Sequence, residues 1–109
     1  HTSLMSEAAN KMYQEVLNIP INKASIPVIM NATGDYLANE YLPELMKRQI
    51  ESSVYFTASI EKMINAGVDT FIEIGPGKVL TGLVKKIDQT KKIISINDIS
   101  DLERVITWI

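Results

Sequence analysis

The sequence predicts an α/β fold in which three short, mainly parallel strands are flanked by helices. Two observations carry that reading. Apolar runs of strand length alternate with stretches whose apolar residues recur every three or four positions, and strands joined through helices pair in parallel. The run Thr70-Phe-Ile-Glu-Ile74 leads into Gly75-Pro76-Gly77 and then a helical stretch. Such strand–turn–helix units carry sites at the carboxyl ends of parallel strands.

Each element has its own signal. Leu4, Met5, Ala8, Ala9, Met12 and Val16 make one apolar helical face, with Thr2 or Ser3 available as cap. Pro20 prevents that helix from continuing. Residues 26–31 read as a short buried strand ending in the turn Asn31-Ala-Thr-Gly34-Asp35. A helix is predicted over residues 39–51, with Pro43 tolerated in or near its first turn. Phe56, Ile60, Met63 and Ile64 define the next helix, closed by Gly67 at the position after its cap. The strand at residues 70–74 precedes a helix over residues 78–87 and a third strand over residues 92–96. Ser100-Asp-Leu-Glu103 has the capping-box pattern for a last helix bearing Leu102, Val105, Ile106 and Ile109. No repeat, low-complexity segment or linker appears. Residues 1–109 read as one contiguous piece of an α/β layer, with neighbouring elements expected beside it.

Composition narrows the function classes. A chain of 109 residues with 46% apolar content fits one domain with a core. It has no cysteine, so no disulfide framework, zinc site or thiol nucleophile is expected. A net charge of −2 argues against nucleic acid as a general partner. Apolar runs such as Ile26-Pro-Val-Ile-Met30 are far too short to span a bilayer, and no basic-then-apolar leader opens the chain. A cytoplasmic soluble protein is the expectation.

Few groups could do chemistry. His1 is the only histidine. Read alone, a terminal histidine is a loose end or a tag remnant. An imidazole with an ordinary pKa of about 6.5 also suits proton transfer near neutrality. Gln49 falls within the stripe formed by Leu42, Leu45, Met46 and Ile50. A polar amide on a buried face needs partners or costs on the order of 1–3 kcal/mol. A core glutamine that satisfies a stray backbone group and a catalytic glutamine are both open readings.

The turn at Gly75-Pro76-Gly77 could offer backbone N–H groups to an anion. It lacks the P-loop spacing, because Lys78 follows the second glycine directly, and a tight structural turn is favoured. Glu73, beside the turn, is a candidate to bond its amides and is given no chemistry; Gly82 inside the helix suggests close approach of another backbone. Lys78, Lys85, Lys86, Lys91 and Lys92 cluster where Asp88 is the only acid. On the predicted helix Val79, Leu80, Leu83, Val84 and Ile87 face inward, Lys78 and Lys85 point away, and Lys86 flanks the stripe. That basic stretch reads as a solvated face with cations near a helix end, or as a docking surface.

The run from Ala66-Gly67-Val68-Asp69 through Gly75-Pro-Gly77-Lys-Val-Leu-Thr-Gly82-Leu83 resembles the C-terminal part of malonyl-CoA:acyl-carrier-protein transacylases. His1-Thr2-Ser3-Leu4-Met5 is similar to that family's catalytic histidine motif, with Ser3 where proline is common. Arg48-Gln49-Ile50 resembles the family's Arg-Gln-Leu. The resemblance covers nearly all of the chain and about the last third of a complete enzyme. It implies the C-terminal part of an α/β-hydrolase-like large subdomain, with a smaller ferredoxin-like subdomain ending just before His1.

The resemblance also implies roles. His1 would be general base and acid toward a serine, and the backbone carbonyl of Gln49 would orient it as aspartate does in a Ser-His-Asp triad. The implied reaction is ping-pong transfer of malonyl from coenzyme A, through an acyl-serine, to the phosphopantetheine thiol of acyl carrier protein in fatty acid synthesis. No metal or other cofactor is needed. Lys85 and Lys86 would meet the acidic carrier protein. The implied partners are malonyl-CoA, the carrier and the remainder of the parent enzyme, with no nucleic acid or membrane. No Gly-x-Ser-x-Gly elbow occurs in the chain. The arginine that selects malonate and the upstream oxyanion-hole contributor have no counterpart either, so the fragment alone is expected to be inactive. Two alternatives stand beside this reading. One is a segment of a polyketide synthase acyltransferase domain. The other is a non-catalytic, flavodoxin-like phosphate- or partner-binding module, which explains the glycine turn but not the pairing of His1 with Gln49.

Overall fold

The structure is a computed structural model that describes residues 1–38 and 41–107. The chain divides into two compact units, His1–Lys62 and Met63–Ile109.

In the first unit Thr2 is extended and its hydroxyl accepts the Leu4 N–H at 3.0 Å, opening a short 3-10 turn at Ser3–Met5 that runs into α1, Ser6–Val16. The expected apolar face is only partly buried: Ala9 and Val16 are, whereas Leu4 is 91% exposed and Met5 and Ala8 are also open. Three residues per turn in the 3-10 segment throw Leu4 and Met5 out of phase with the α-helical stripe that follows. The helix packs on α2, Leu42–Glu51, which buries Pro43 and Leu45. Pro43 sits in the first helical turn, where its missing N–H costs nothing. The two residues at which this helix was expected to begin lie outside the described ones.

Residues 26–31 differ from expectation. Only Ile29–Met30 forms a strand, β1, and it pairs antiparallel with β2, Asp35–Tyr36. The intervening turn reverses the chain on itself: Thr33 and Gly34 N–H groups donate to the Met30 carbonyl at 3.3 and 2.9 Å, with Gly34 at φ 64°. Among the described residues the parallel sheet therefore has two strands, not three.

Helix α3, Phe56–Asn65, leads into the second unit. It ends in a double hydrogen bond, Val68 N–H to the Met63 carbonyl and Gly67 N–H to the Ile64 carbonyl, both at 3.0 Å. Gly67 takes φ 97°, so glycine closes the helix as expected. Strands β3, Thr70–Ile74, and β4, Lys92–Ile96, pair in parallel from Thr70↔Lys92 to Ile74↔Ile96. Between them runs α4, Val79–Ile87.

Helix α4 buries only part of its expected face, with Val84 buried, Ile87 half-buried and Lys78 and Lys85 exposed as expected. Thr81 and Val84 are buried, whereas Val79, Leu80 and Leu83 are exposed. Polar bonds decide this: the Thr81 hydroxyl donates to Glu73 at 2.7 Å and shares a 2.8 Å bond with Ser95. A Cβ at Gly82 would meet nothing within 4 Å, so no close backbone approach explains that glycine. The last helix, α5, spans Ile99–Ile106 and is capped by Asp98, which accepts the Asp101 N–H at 2.9 Å. The cap is thus two residues ahead of Ser100, and Asp101 returns a bond to the Asn97 N–H. The expected packing of Ile109 lies outside the described residues. No helix among the described residues is long and apolar enough to cross a membrane.

Candidate active site

Helix α2 ends where Ser52 turns extended, at φ −118° and ψ 163°. Carbonyls in a last turn have no partner within their own helix, and the Gln49 carbonyl is one of them. The His1 ring takes that vacancy, with Nδ1 hydrogen-bonded to the Gln49 carbonyl oxygen. Since a carbonyl only accepts, Nδ1 must carry the proton, and the neutral ring then holds its lone pair on Nε2. An exposed imidazole fixed in that tautomer can take a proton at Nε2 and return it.

The two open readings of Gln49 fall on different atoms of the one residue. Its main-chain carbonyl contacts His1, while its side-chain Oε1 accepts the Asn31 N–H at 2.9 Å. Asn31 in turn accepts the Tyr55 N–H at 3.0 Å through its own carbonyl. Asn31 was not singled out from the sequence as part of a site. Its signal is positional: the first residue after a strand, in a tight turn, has an N–H with no ladder partner.

The glycine turn offers no open anion cradle. Gly75 N–H donates to the Ile96 carbonyl at 3.0 Å and Gly77 N–H to Asn97 Oδ1 at 2.6 Å. At the start of α4, Glu73 accepts the Leu80 and Thr81 N–H groups at 3.3 and 2.8 Å. The Thr81 hydroxyl, and then those amides, hold the Glu73 carboxyl below the ordinary glutamate range. The positive end of the helix is thus already served by the chain's own carboxylate.

Lys85 and Lys86 lie in the second unit, exposed on α4. Lys91 pairs with Asp88 at 4.0 Å and Arg104 with Asp101 at 3.1 Å. A concavity of about 410 Å³ opens beside Lys85, with Lys78, Ile93, Arg104 and Val105 on its walls. The structure thus brings His1 and Gln49 together within the first unit, and Lys85 and Lys86 are exposed on α4 of the second.

Comparison with known proteins gives the same direction. No family model matches the chain. It is 42% identical over 107 residues to the malonyl CoA-acyl carrier protein transacylase of Bacillus subtilis, which covers 97% of this chain and 34% of that protein. The crystal structure of the Clostridium perfringens malonyl CoA-acyl carrier protein transacylase superposes with a TM-score of 0.88 at 40% identity, over 99% of this chain and 34% of that one. A malonyl-transacylase solved in complex with a type II PKS acyl-carrier protein matches at TM-score 0.85 and 31% identity, over 100% of this chain and 36% of that one. These likenesses bear out the resemblance read from the sequence, and the chain spans about a third of the length of the relatives it matches.

Proposed function

We propose that this chain is the carboxyl-terminal, base-bearing segment of a malonyl CoA-acyl carrier protein transacylase of fatty acid synthesis, within an α/β-hydrolase-like subdomain. The observation that carries the reading is the His1 ring nitrogen on the Gln49 carbonyl, in a chain similar to these enzymes over 97% of its length. In the complete enzyme a serine attacks the malonyl thioester of coenzyme A while His1 Nε2 takes its proton. The C–S bond breaks, and the same proton goes to the departing thiolate. The carrier's phosphopantetheine thiol then gives its proton to His1, attacks the acyl-serine and leaves with the malonyl group, and the proton returns to the serine. The Gln49 carbonyl keeps Nδ1 protonated throughout, so Nε2 is always the working nitrogen. No step calls for a metal or redox cofactor, and the proposed reactants, malonyl-CoA and an acyl carrier protein, favour a cytoplasmic enzyme.

A flavodoxin-like phosphate-binding module would need the amides of the glycine turn and of the α4 start. Glu73, Asn97 and the Ile96 carbonyl already hold the Gly75, Gly77, Leu80 and Thr81 N–H groups, which favours the transferase reading.

The test is a chimera in which this chain replaces the matching third of the Bacillus subtilis relative. It is assayed for malonyl transfer to a holo acyl carrier protein. Transfer is expected from the chimera and none from the 109 residues by themselves. His1→Ala in the chimera is expected to lower turnover by about 10³–10⁴ or more. A folded chimera without transfer, or near-normal turnover after His1→Ala, would overturn the reading.

A further inference from the structure

We infer that the Gln49 side chain is a positioning device: by accepting the Asn31 N–H, it fixes the main-chain carbonyl that holds His1 in one tautomer. The inference rests on the reading of His1 as a base and adds a residue-level cause for its orientation. The Gln49 carbonyl belongs to the last turn of α2, and last turns fray unless something outside the helix ties them down. Here the tie is the 2.9 Å bond from the Asn31 N–H to Gln49 Oε1.

The anchor at the other end is itself held. Asn31 lies between β1 and the turn, and its carbonyl accepts the Tyr55 N–H at 3.0 Å. The same turn is pressed against the start of α3: a Cβ built at Gly34 would lie 2.9 Å from Tyr55 Cβ and 3.1 Å from Ala58 Cβ. Asn31 is therefore restrained from the hairpin and from α3 together. One amide side chain transfers that restraint to the helix end, and its own carbonyl passes it to the His1 ring. If the side-chain bond is lost, the last turn of α2 loosens and the imidazole reverts to the tautomer mixture of a free histidine.

His1 is the only histidine, so ring-nitrogen NMR on this chain reads its tautomer without ambiguity. The native chain is expected to show Nδ1 protonated at a pH above its titration. Gln49→Leu, which keeps bulk but has no acceptor, should return the ring toward the Nε2-protonated form. In the chimera it should lower kcat by about 10- to 100-fold, as ångström-scale misplacement does, with KM for malonyl-CoA within about two-fold. Gln49→Glu keeps an acceptor at the same reach and should restore both the tautomer and most of kcat. Gln49→Asn keeps the amide but draws it back by one methylene, so it should behave as Gln49→Leu does and decides the matter if that variant fails to fold. A native tautomer and unchanged kcat in Gln49→Asn or Gln49→Leu overturns the inference. Failure of the chimera itself bears on the proposed transferase, whereas the tautomer is read on this chain alone.

Discussion

Gln49 shows how much one residue can hide behind a simple polarity argument. Its place in an apolar stripe made it conspicuous, but the sequence could not say which of its atoms mattered, because carbonyl and side chain serve different neighbours. Gly34 is the opposite case. In the sequence it was only part of a turn, and close backbone approach was expected at Gly82 instead. In the structure Gly34 is the glycine that is both at φ 64° and pressed on Tyr55 and Ala58, while a Cβ at Gly82 would meet nothing within 4 Å. A left-handed alanine costs roughly 1–2 kcal/mol even where it has room, and here its methyl group would also press on two side-chain carbons. Gly34→Ala is expected to lower unfolding free energy by about 2–3 kcal/mol, read from urea midpoints. A change within about 0.5 kcal/mol, as at unconstrained surface sites, would show that the turn is not packed as described.

Elements with strong local signals were legible, and those set by tertiary bonds were not. Gly67 closes α3, Pro43 opens α2, and the runs at β3 and β4 pair in parallel, each as its residues suggest. The hairpin was not legible, because β2 is only Asp35–Tyr36 and two residues show no period. The α5 cap was read at Ser100, since the Asp98–Asp101 pair uses the same chemistry two residues earlier. The setting of α4 depends on Glu73, a strand residue that reaches across to cap the next helix. Its bond from the Thr81 hydroxyl, then those from the amides, lower its pKa below 4.5 in the fold. A carboxyl depressed on folding adds stability above its unfolded value, and that share is lost as pH falls through the folded one. Glu73→Gln should therefore be less stable than the native chain at neutral pH, and the gap should narrow below 4.5. Asp35, lowered chiefly by Lys62, and Asp88, lowered chiefly by Thr90, act with the same sign, so some acid sensitivity remains in the variant. Urea midpoints measured from neutrality down to about pH 3 check this; parallel profiles for the two proteins would remove Glu73 from the account.

At the scale of the whole molecule, the chain leaves apolar strand residues exposed and gathers its cations in one stretch. Ile72 and Ile74 lie on the face of β3 opposite Glu73, and Ile74 is 79% exposed on a sheet that has two parallel strands among the described residues. Parallel sheets ordinarily have both faces covered, which agrees with a chain that spans about a third of its relatives. The net charge is −2, yet Lys78, Lys85, Lys86, Lys91 and Lys92 gather between positions 78 and 92. Asp88 sits among them and is engaged with Thr90 and Lys91. Those two project from the last turn of α4, where the helix end favours cations, and that alone would account for a solvated face. The proposed function adds a partner, an acidic carrier protein, and gives this face a second role that can be separated from the first. Charges that steer an encounter act on association with the charged partner and are screened by salt, with little effect on events inside the active site. In the chimera, Lys85→Glu combined with Lys86→Glu is expected to raise KM for the carrier protein several-fold at low salt, because steered encounters lose up to about 10–10³ in rate when the field is removed. The difference should shrink as ionic strength approaches 1 M, where the screening length is about 3 Å. Acyl-enzyme formation from malonyl-CoA, followed in a single turnover without the carrier, should be unchanged. An unaltered KM for the carrier at low salt would leave the two lysines as a solvated helix face and nothing more.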